Sequence, residues 1–270
     1  MEFFLRLYRF LMARPALYKI NLHLYKLSLR GLGILNANGP EATGEHWFMK
    51  EVARRKKVKT IIDVGANTDI FGITTFPEAT IYACEPHPDT FKKLASLYPK
   101  ATRRKKLILC NIALGEKNAT KKLWDFADDA PLKSTQPTST LSSLDKAVIE
   151  KIHNQKAKSY PVSVQTLDTF VSQQKITHID ILKIDTEGHE LQVLLGAKKT
   201  IQRGMIDIIQ FEFNEMNVIS KSFFYDFMQL IPEFHFYRLL PHGLVSLENY
   251  RPLTHEIFGF QNIVASREKL

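Results

Sequence analysis

From Val58 onward, short runs rich in Ile, Val, Leu and Phe alternate with stretches of helical periodicity, and this alternation restricts the fold more than any other feature. A strand apolar on both faces needs cover on both. Runs of that kind separated by helices therefore specify a mostly parallel sheet with helices on both faces. They occupy residues 60–64, 80–85, 107–113, 179–185 and 206–213. Between the first two, Pro77 and the weak helix formers Gly72, Thr74 and Thr75 leave room only for an unusually short helix starting near Ile70. PDTFKKLASLY and HELQVLLGAKKTIQRG read as amphipathic helices, the second ending in a basic turn and Gly204.

Two segments break the rhythm. Residues 116–161 are rich in Ser, Thr, Asp and Lys, with TQPTSTLSSLD at their centre, and a polar insertion of that length between sheet strands is usually functional or mobile. The closing part, FHFYRLLPHGLVSLENY then IFGFQNIVAS, predicts two or three antiparallel strands with Pro241-His242-Gly243 as a hairpin turn. The fold class is thus α/β, mostly parallel, with a C-terminal antiparallel hairpin.

A chain of 270 residues that is 44% hydrophobic can bury the core of one catalytic-size domain. We divide it into a helical extension over residues 1–45 and a domain over 46–270. In the extension, Phe3, Phe4, Leu7, Tyr8 and Leu11 recur at helical spacing, with Arg6 and Arg9 on another side and Pro15 as a stop. The segment is too short and too charged to span a bilayer, and it lacks the pattern of a cleaved signal. Two roles fit it: a helix lying in a membrane interface, or one docked on the protein's own core or on a second subunit of a homodimer.

Cys84 and Cys110 both sit inside apolar runs, where a thiol acts as a small hydrophobe. That suits a reducing, cytoplasmic setting. The net charge of +9 owes much to Arg54-Arg55-Lys56-Lys57 and Arg103-Arg104-Lys105-Lys106. Such clusters attract anions or simply solvate loops. Neither interleaves aromatic residues as a single-strand nucleic-acid groove does.

In an open parallel sheet, ligands bind beyond the carboxyl ends of the strands. The residues at those exits are Asp63, Gly65 and Asn67, then Glu85, then Asn111 and Ala113, then Asp185 and Glu187, then Glu212 and Asn214. Gly65 permits close approach of a ligand to the backbone. Glu85, 22 positions after Asp63, is spaced to accept hydrogen bonds from both hydroxyls of a ribose. The loop Gly65-Ala66-Asn67-Thr68-Asp69-Ile70 lacks the G-x-G-x-x-G that a nicotinamide dinucleotide requires.

Taken in order, DVGAN, EPHPDTF, NIALG, SSL, VQTLDTF, KIDTEGHELQVLLGA and FEF resemble the motif set of FkbM-type methyltransferases, over about Val58 to Val264. The resemblance implies a class I Rossmann-like fold, S-adenosylmethionine as cofactor, and methylation of hydroxyl groups on sugars and natural products. It implies that Asp63, Gly65 and Asn67 line the methionine side, that Glu85 holds the ribose, and that Asn111 and Ala113 lie near the adenine. Where the family has glycine this chain has Asp69, which either caps a short helix or crowds the cofactor's carboxylate.

Methyl transfer to a hydroxyl needs alignment and removal of one proton. Asp185, Glu187 and His189 form the dense set of proton acceptors beside the implied methyl group, and His189 is the natural base. A divalent cation is not expected; if one binds, Asp185 and Glu212 are its ligands, and Lys183 either faces the ligand or pairs with those acids. The acceptor reads as a small molecule, glycan or glycolipid. Two rivals remain: a nucleic-acid methyltransferase, motivated by the basic balance, and a non-catalytic or cofactor-impaired binding protein, motivated by Asp69 and the short helix.

Overall fold

In the computed structural model, which describes residues 1–37, 39, 41–99, 106–129 and 141–270, every one of these apolar runs contains a strand. In chain order the strands are β1 (Thr60–Val64), β2 (Thr80–Cys84), β3 (Leu107–Cys110), β4 (Ala113–Leu114), β5 (Ala119–Phe126), β6 (Ala157–Gln165), β7 (Ile179–Ile184), β8 (Ile206–Phe213), β9 (His235–Leu240), β10 (Gly243–Ser246) and β11 (Gln261–Ser266). The main sheet runs β10-β9-β11-β8-β7-β1-β2-β3. From β8 to β3 its neighbours are parallel, while β11 lies antiparallel to both β8 and β9. The β9–β10 hairpin turns at Pro241-His242, pairing Leu240 with Gly243. This order, with β11 reversed near the edge of a parallel sheet and β10 reversed at the edge itself, is the class I Rossmann-like arrangement with a C-terminal hairpin expected from the sequence.

Side chains alternate between two apolar layers, as the two-residue period of a strand requires. Ile62, Val64, Leu182, Ile184, Ile209 and Phe211 point to one face, against Phe170, Val193, Leu194 and Phe227. Ile61, Ile81, Ile181 and Ile208 point to the other. That second layer is covered by helices that follow α1 (Glu2–Met12) and α2 (Tyr18–Gly31) in the chain. They are α3 (Glu45–Arg55), which contributes Phe48, Met49 and Val52, and α4 (Pro88–Leu97), which contributes Leu94. The imidazole of His87 caps α4, accepting from the amides of Asp89 and Thr90.

Three expectations need correction. The run 107–113 splits at Asn111-Ile112 into β3 and β4, and β4 joins β6 and β5 in a separate three-stranded sheet. The insertion thus contains ordered antiparallel structure over β5 and most of β6; the centre of TQPTSTLSSLD lies largely outside the described residues. No helix forms after Ile70: residues 71–75 make turns only, because Gly72 adopts φ +73 against the Phe76 ring and Pro77 follows.

Of the basic clusters, Arg54 and Arg55 pair with Glu51, and Lys106 pairs with Glu78; Arg103 to Lys105 lie outside the described residues. Cys84 and Cys110 are register partners on β2 and β3, with free thiols. Among the described residues, no helix is long and apolar enough to cross a membrane.

Candidate active site

The exits of β1, β2, β7 and β8 converge on one cavity of about 460 Å³. Its first wall is the loop after β1. Gly65 sits at φ +83, and a β-carbon there would lie 1.7 Å from the carbonyl oxygen of Asp185. Glycine is therefore imposed by the neighbouring strand's exit, before any ligand is considered. The Asp63 carboxylate lies beneath the loop, where Oδ2 accepts from the Phe71 amide at 2.9 Å. Burial pushes it up to about 7, against the pull of that hydrogen bond and of Lys183.

Glu85 closes the same loop. Its Oε2 accepts from the Asn67 amide at 2.9 Å and its Oε1 from the His87 amide at 2.7 Å. Burial raises this carboxyl, too, to about 7. Asn67 adopts φ +49, and its Oδ1 is buried with no hydrogen-bond partner among the described residues. Asn111 donates through Nδ2 to the carbonyls of Glu85 and Pro86, at 2.8 and 3.2 Å, which fixes the exit of β2. Asp69 is exposed, lies off the cavity wall and caps no helix, so the capping role is not played: Asp63, not Asp69, receives the loop amide.

The second wall is the turn after β7, and the motif KIDTEGHE explains its shape. Glu190 Oε1 accepts from the Thr186 amide and hydroxyl, both at 3.0 Å, and from the Gly188 amide at 3.1 Å. Gly188, at φ +95, passes within contact of Met216, where a β-carbon would approach 2.8 Å. Held between them, Glu187 takes φ +52, a strained conformation for a non-glycine residue, and its side chain reaches the cavity. Burial pushes the Glu187 carboxyl well above the usual range, and the charges of Asp185, Glu190 and Glu215 add to the effect. Glu212 is raised in the same way, first by burial and then by Asp185.

Lys183 is the buried counter-charge. Its Nζ lies 3.2 Å from Asp185 Oδ2 and 3.4 Å from Glu45 Oε1, and Glu45 also accepts from Gln210 Nε2 at 2.6 Å. Burial alone would lower this ammonium, but Asp185, Glu45 and Glu212 together raise it well above its ordinary value. Lys183 thus pairs with the acids, one of the two roles the sequence left open.

Of the residues singled out in the sequence, Gly65, Asn67, Glu85, Ala113, Asp185, Glu187, Glu212 and Asn214 line the cavity. Asp63, Asn111 and His189 do not. His189 turns toward Gly115 and β6: a β-carbon on Gly115 would lie 3.4 Å from its Nε2. Burial, aided by Lys121, lowers the imidazole to about 4, and Nε2 has no partner among the described residues. The structure therefore does not bring His189 to the cavity wall where Asp185 and Glu187 lie. The sequence reading assigned no role to Glu190, whose spacing from Thr186 within one motif carried a signal, or to Ser143, which lies in the SSL motif, and it missed Glu45 and Gln210, for which no local signal exists.

The outer wall comes from the insertion. Leu123 of β5 and Leu141, Ser142 and Leu144 face the cavity. An isolated bridge pairs Trp124 with Ser143, whose hydroxyl donates to the Glu187 carbonyl at 2.9 Å. A separate cluster of His178, Asp180 and Asp207 has ligand atoms close enough together for a metal ion. It sits at the opposite, amino-terminal end of β7, and the ammonium of Lys56 already bridges Asp180 and Asp207.

A nucleoside-bearing cofactor fits these residues: the Glu85 carboxylate suits paired hydroxyls, and the orphaned Asn67 Oδ1 suits an ammonium. A family model described as "Methyltransferase FkbM domain" matches residues 63–239. The chain is 29% identical over 153 residues to "Methyltransferase 1" of Beauveria bassiana (strain ARSEF 2860), spanning 50% of this chain and 57% of that relative. Among solved structures, methyltransferase FkbM from Methylobacillus flagellatus KT aligns with a TM-score of 0.46 at 12% identity, over 77% of this chain and 44% of that one. Precorrin-6y C5,15-methyltransferase from Geobacter metallireducens GS-15 aligns with a TM-score of 0.40 at 11% identity, over 82% and 86%.

Proposed function

The chain belongs to the FkbM methyltransferase family, and from that premise we propose that it uses S-adenosylmethionine to methylate a hydroxyl of a sugar, glycan or related natural product. The observation that carries this reading is the meeting of Glu85, Asn67, Asp185 and Glu187 on one cavity at the strand exits. Glu85 would hold the ribose hydroxyls, Pro86, Ile112 and Ala113 would flank the adenine, and Asn67 would receive the methionine ammonium. The bound cofactor supplies an electrophilic methyl group on a sulfonium.

The protein's own part is to position the acceptor and take its proton. Glu187 is the base in this reading, since the left-handed turn delivers it to the cavity and a carboxyl raised above its usual range is the stronger base once ionised. Asp185 is held in an ion pair with Lys183, whose positive charge also faces Glu45 and Glu212. The acceptor would rest between the carboxylates and the apolar wall of Leu123, Leu141 and Leu144, a combination suited to a hydroxylated ring with an apolar substituent. The cofactor-impaired reading rested on Asp69 and on the short helix; Asp69 is exposed and off the cavity wall, no helix forms after Ile70, and titration of the cofactor decides between that reading and the proposal.

The test is calorimetric titration of S-adenosylmethionine and S-adenosylhomocysteine, followed by labelled-methyl transfer to a glycan and glycolipid panel with RNA alongside. Micromolar binding and label on a glycan support the proposal. Absence of binding overturns it in favour of a non-catalytic role, and label on RNA alone favours the nucleic-acid rival.

A further inference from the structure

The first two helices stand apart from the core. No residue of α1 is buried, and Leu29 is the one buried residue of α2. Phe3, Phe4 and Phe10 are 72%, 72% and 68% exposed, and Leu5, Leu7, Leu11, Tyr18, Ile20 and Leu24 are exposed as well. A contiguous apolar surface of this kind on a folded chain marks an interaction site. Docking on the protein's own core, one of the roles open in the sequence, is not what the fold shows.

The arrangement of charge identifies the partner. At about 100° per residue, Glu2, Arg6 and Arg9 fall on one narrow stripe of α1, and aromatic and aliphatic side chains fill the rest of its circumference. In α2, Lys19, Lys26 and Arg30 share a stripe with His23. The hairpin is closed by Asn21, whose Nδ2 donates to the Met12 carbonyl at 2.8 Å. Over residues 1–31 there are six basic side chains and one acidic, a net of +5. A second copy would bring an equal positive charge against this surface, whereas anionic headgroups complement it and the acyl boundary accepts the Phe and Leu side chains.

We propose that α1 and α2 form a monotopic anchor that lies in the surface of a bilayer carrying anionic headgroups. Neither helix is long and apolar enough to cross one. Tyr8, Tyr18 and Tyr25 supply the amphipathic rings that settle at headgroup depth. The anchor is tied to the site, because the Leu35 amide donates to the Phe260 carbonyl at 2.8 Å and both Phe260 and Ala37 line the cavity.

The experiment is flotation of the full chain with phosphatidylcholine vesicles, with and without phosphatidylglycerol. The chain is expected to float with the anionic vesicles, less with the neutral ones, and less as salt rises. The variant Phe4→Asp/Leu11→Asp should lose roughly tenfold or more of that binding, each buried apolar side chain being worth at least a tenfold change. Its thermal melting should match the parent, since both positions are exposed. Arg6→Gln/Arg9→Gln, which leaves a net of +3 over residues 1–31, should weaken the preference for anionic lipid by roughly tenfold or more. Failure of the parent chain to float with either vesicle overturns the proposal. So does a dimer in sedimentation that the Phe4→Asp/Leu11→Asp change dissolves without any lipid binding, which would make a second copy the occupant.

Discussion

The Phe71 amide donates to Asp63 Oδ2 across 2.9 Å, so an acid inside the buried run of β1 shapes the loop that follows it. It does this at a cost, because the carboxylate is out of water and its proton is correspondingly hard to remove.

That cost makes stability depend on pH in a particular direction. Burial raises Asp63 from 3.8 and Glu85 from 4.5, both to about 7. Between about pH 4 and 7 the native state therefore keeps protons that the unfolded chain has lost, and the contribution of these two groups to stability falls as pH rises through that window. Urea unfolding across the window should show Asp63→Asn/Glu85→Gln losing this downward contribution relative to the parent. An unchanged slope would place the retained protons elsewhere.

Glu85→Ala should weaken S-adenosylhomocysteine binding by at least about tenfold, since it removes a charged acceptor and frees the Asn67 and His87 amides that the carboxylate holds. Asp69→Gly, at an exposed position off the cavity, should leave affinity within about twofold, well under 1 kcal/mol. Calorimetry on both variants checks the pair. Equal affinity in Glu85→Ala would remove the ribose assignment.

Lys183→Met leaves Asp185 and Glu45 without their buried counter-charge, a change that typically costs about 3–5 kcal/mol. Equilibrium unfolding near pH 7 should register that loss. A loss below about 1 kcal/mol would assign Lys183 a packing role only.

Glu187→Gln should lower kcat by about a hundredfold or more, with cofactor affinity little changed, as removal of a general base does. His189→Ala should leave both nearly intact, because its ring faces Gly115 instead of the cavity. Single-turnover transfer to an acceptor found in the glycan panel separates the two. A collapse of turnover in His189→Ala alone would restore histidine as the base.

The sheet was legible because its strands are continuous apolar runs and the two-residue period assigns each side chain a face, so Ile61 and Ile62 enter different layers as the pattern requires. The exits of β1, β2 and β7 were legible for a related reason: acids directly after buried strands have few structural excuses. What the sequence hid is the contact between distant segments. Nothing near Gly65 announces that Asp185 passes beside it, and nothing near Lys183 announces Glu45 on α3. His189 stays off the cavity wall because its proximity in sequence to Asp185 and Glu187 does not survive the turn at Gly188.

The cavity is built by two sheets with different duties. The main sheet supplies Gly65, Glu85, Asp185 and Glu212, while the three-stranded sheet and the segment bridged to it at Ser143 supply Leu123, Leu141, Ser142 and Leu144. Drift in the insertion can therefore reshape the outer wall while the cradle on the main sheet stays fixed. With the acceptor placed against that wall as proposed, one contiguous stretch sets what the cavity admits, which makes the insertion the place to graft when that choice is to be redesigned.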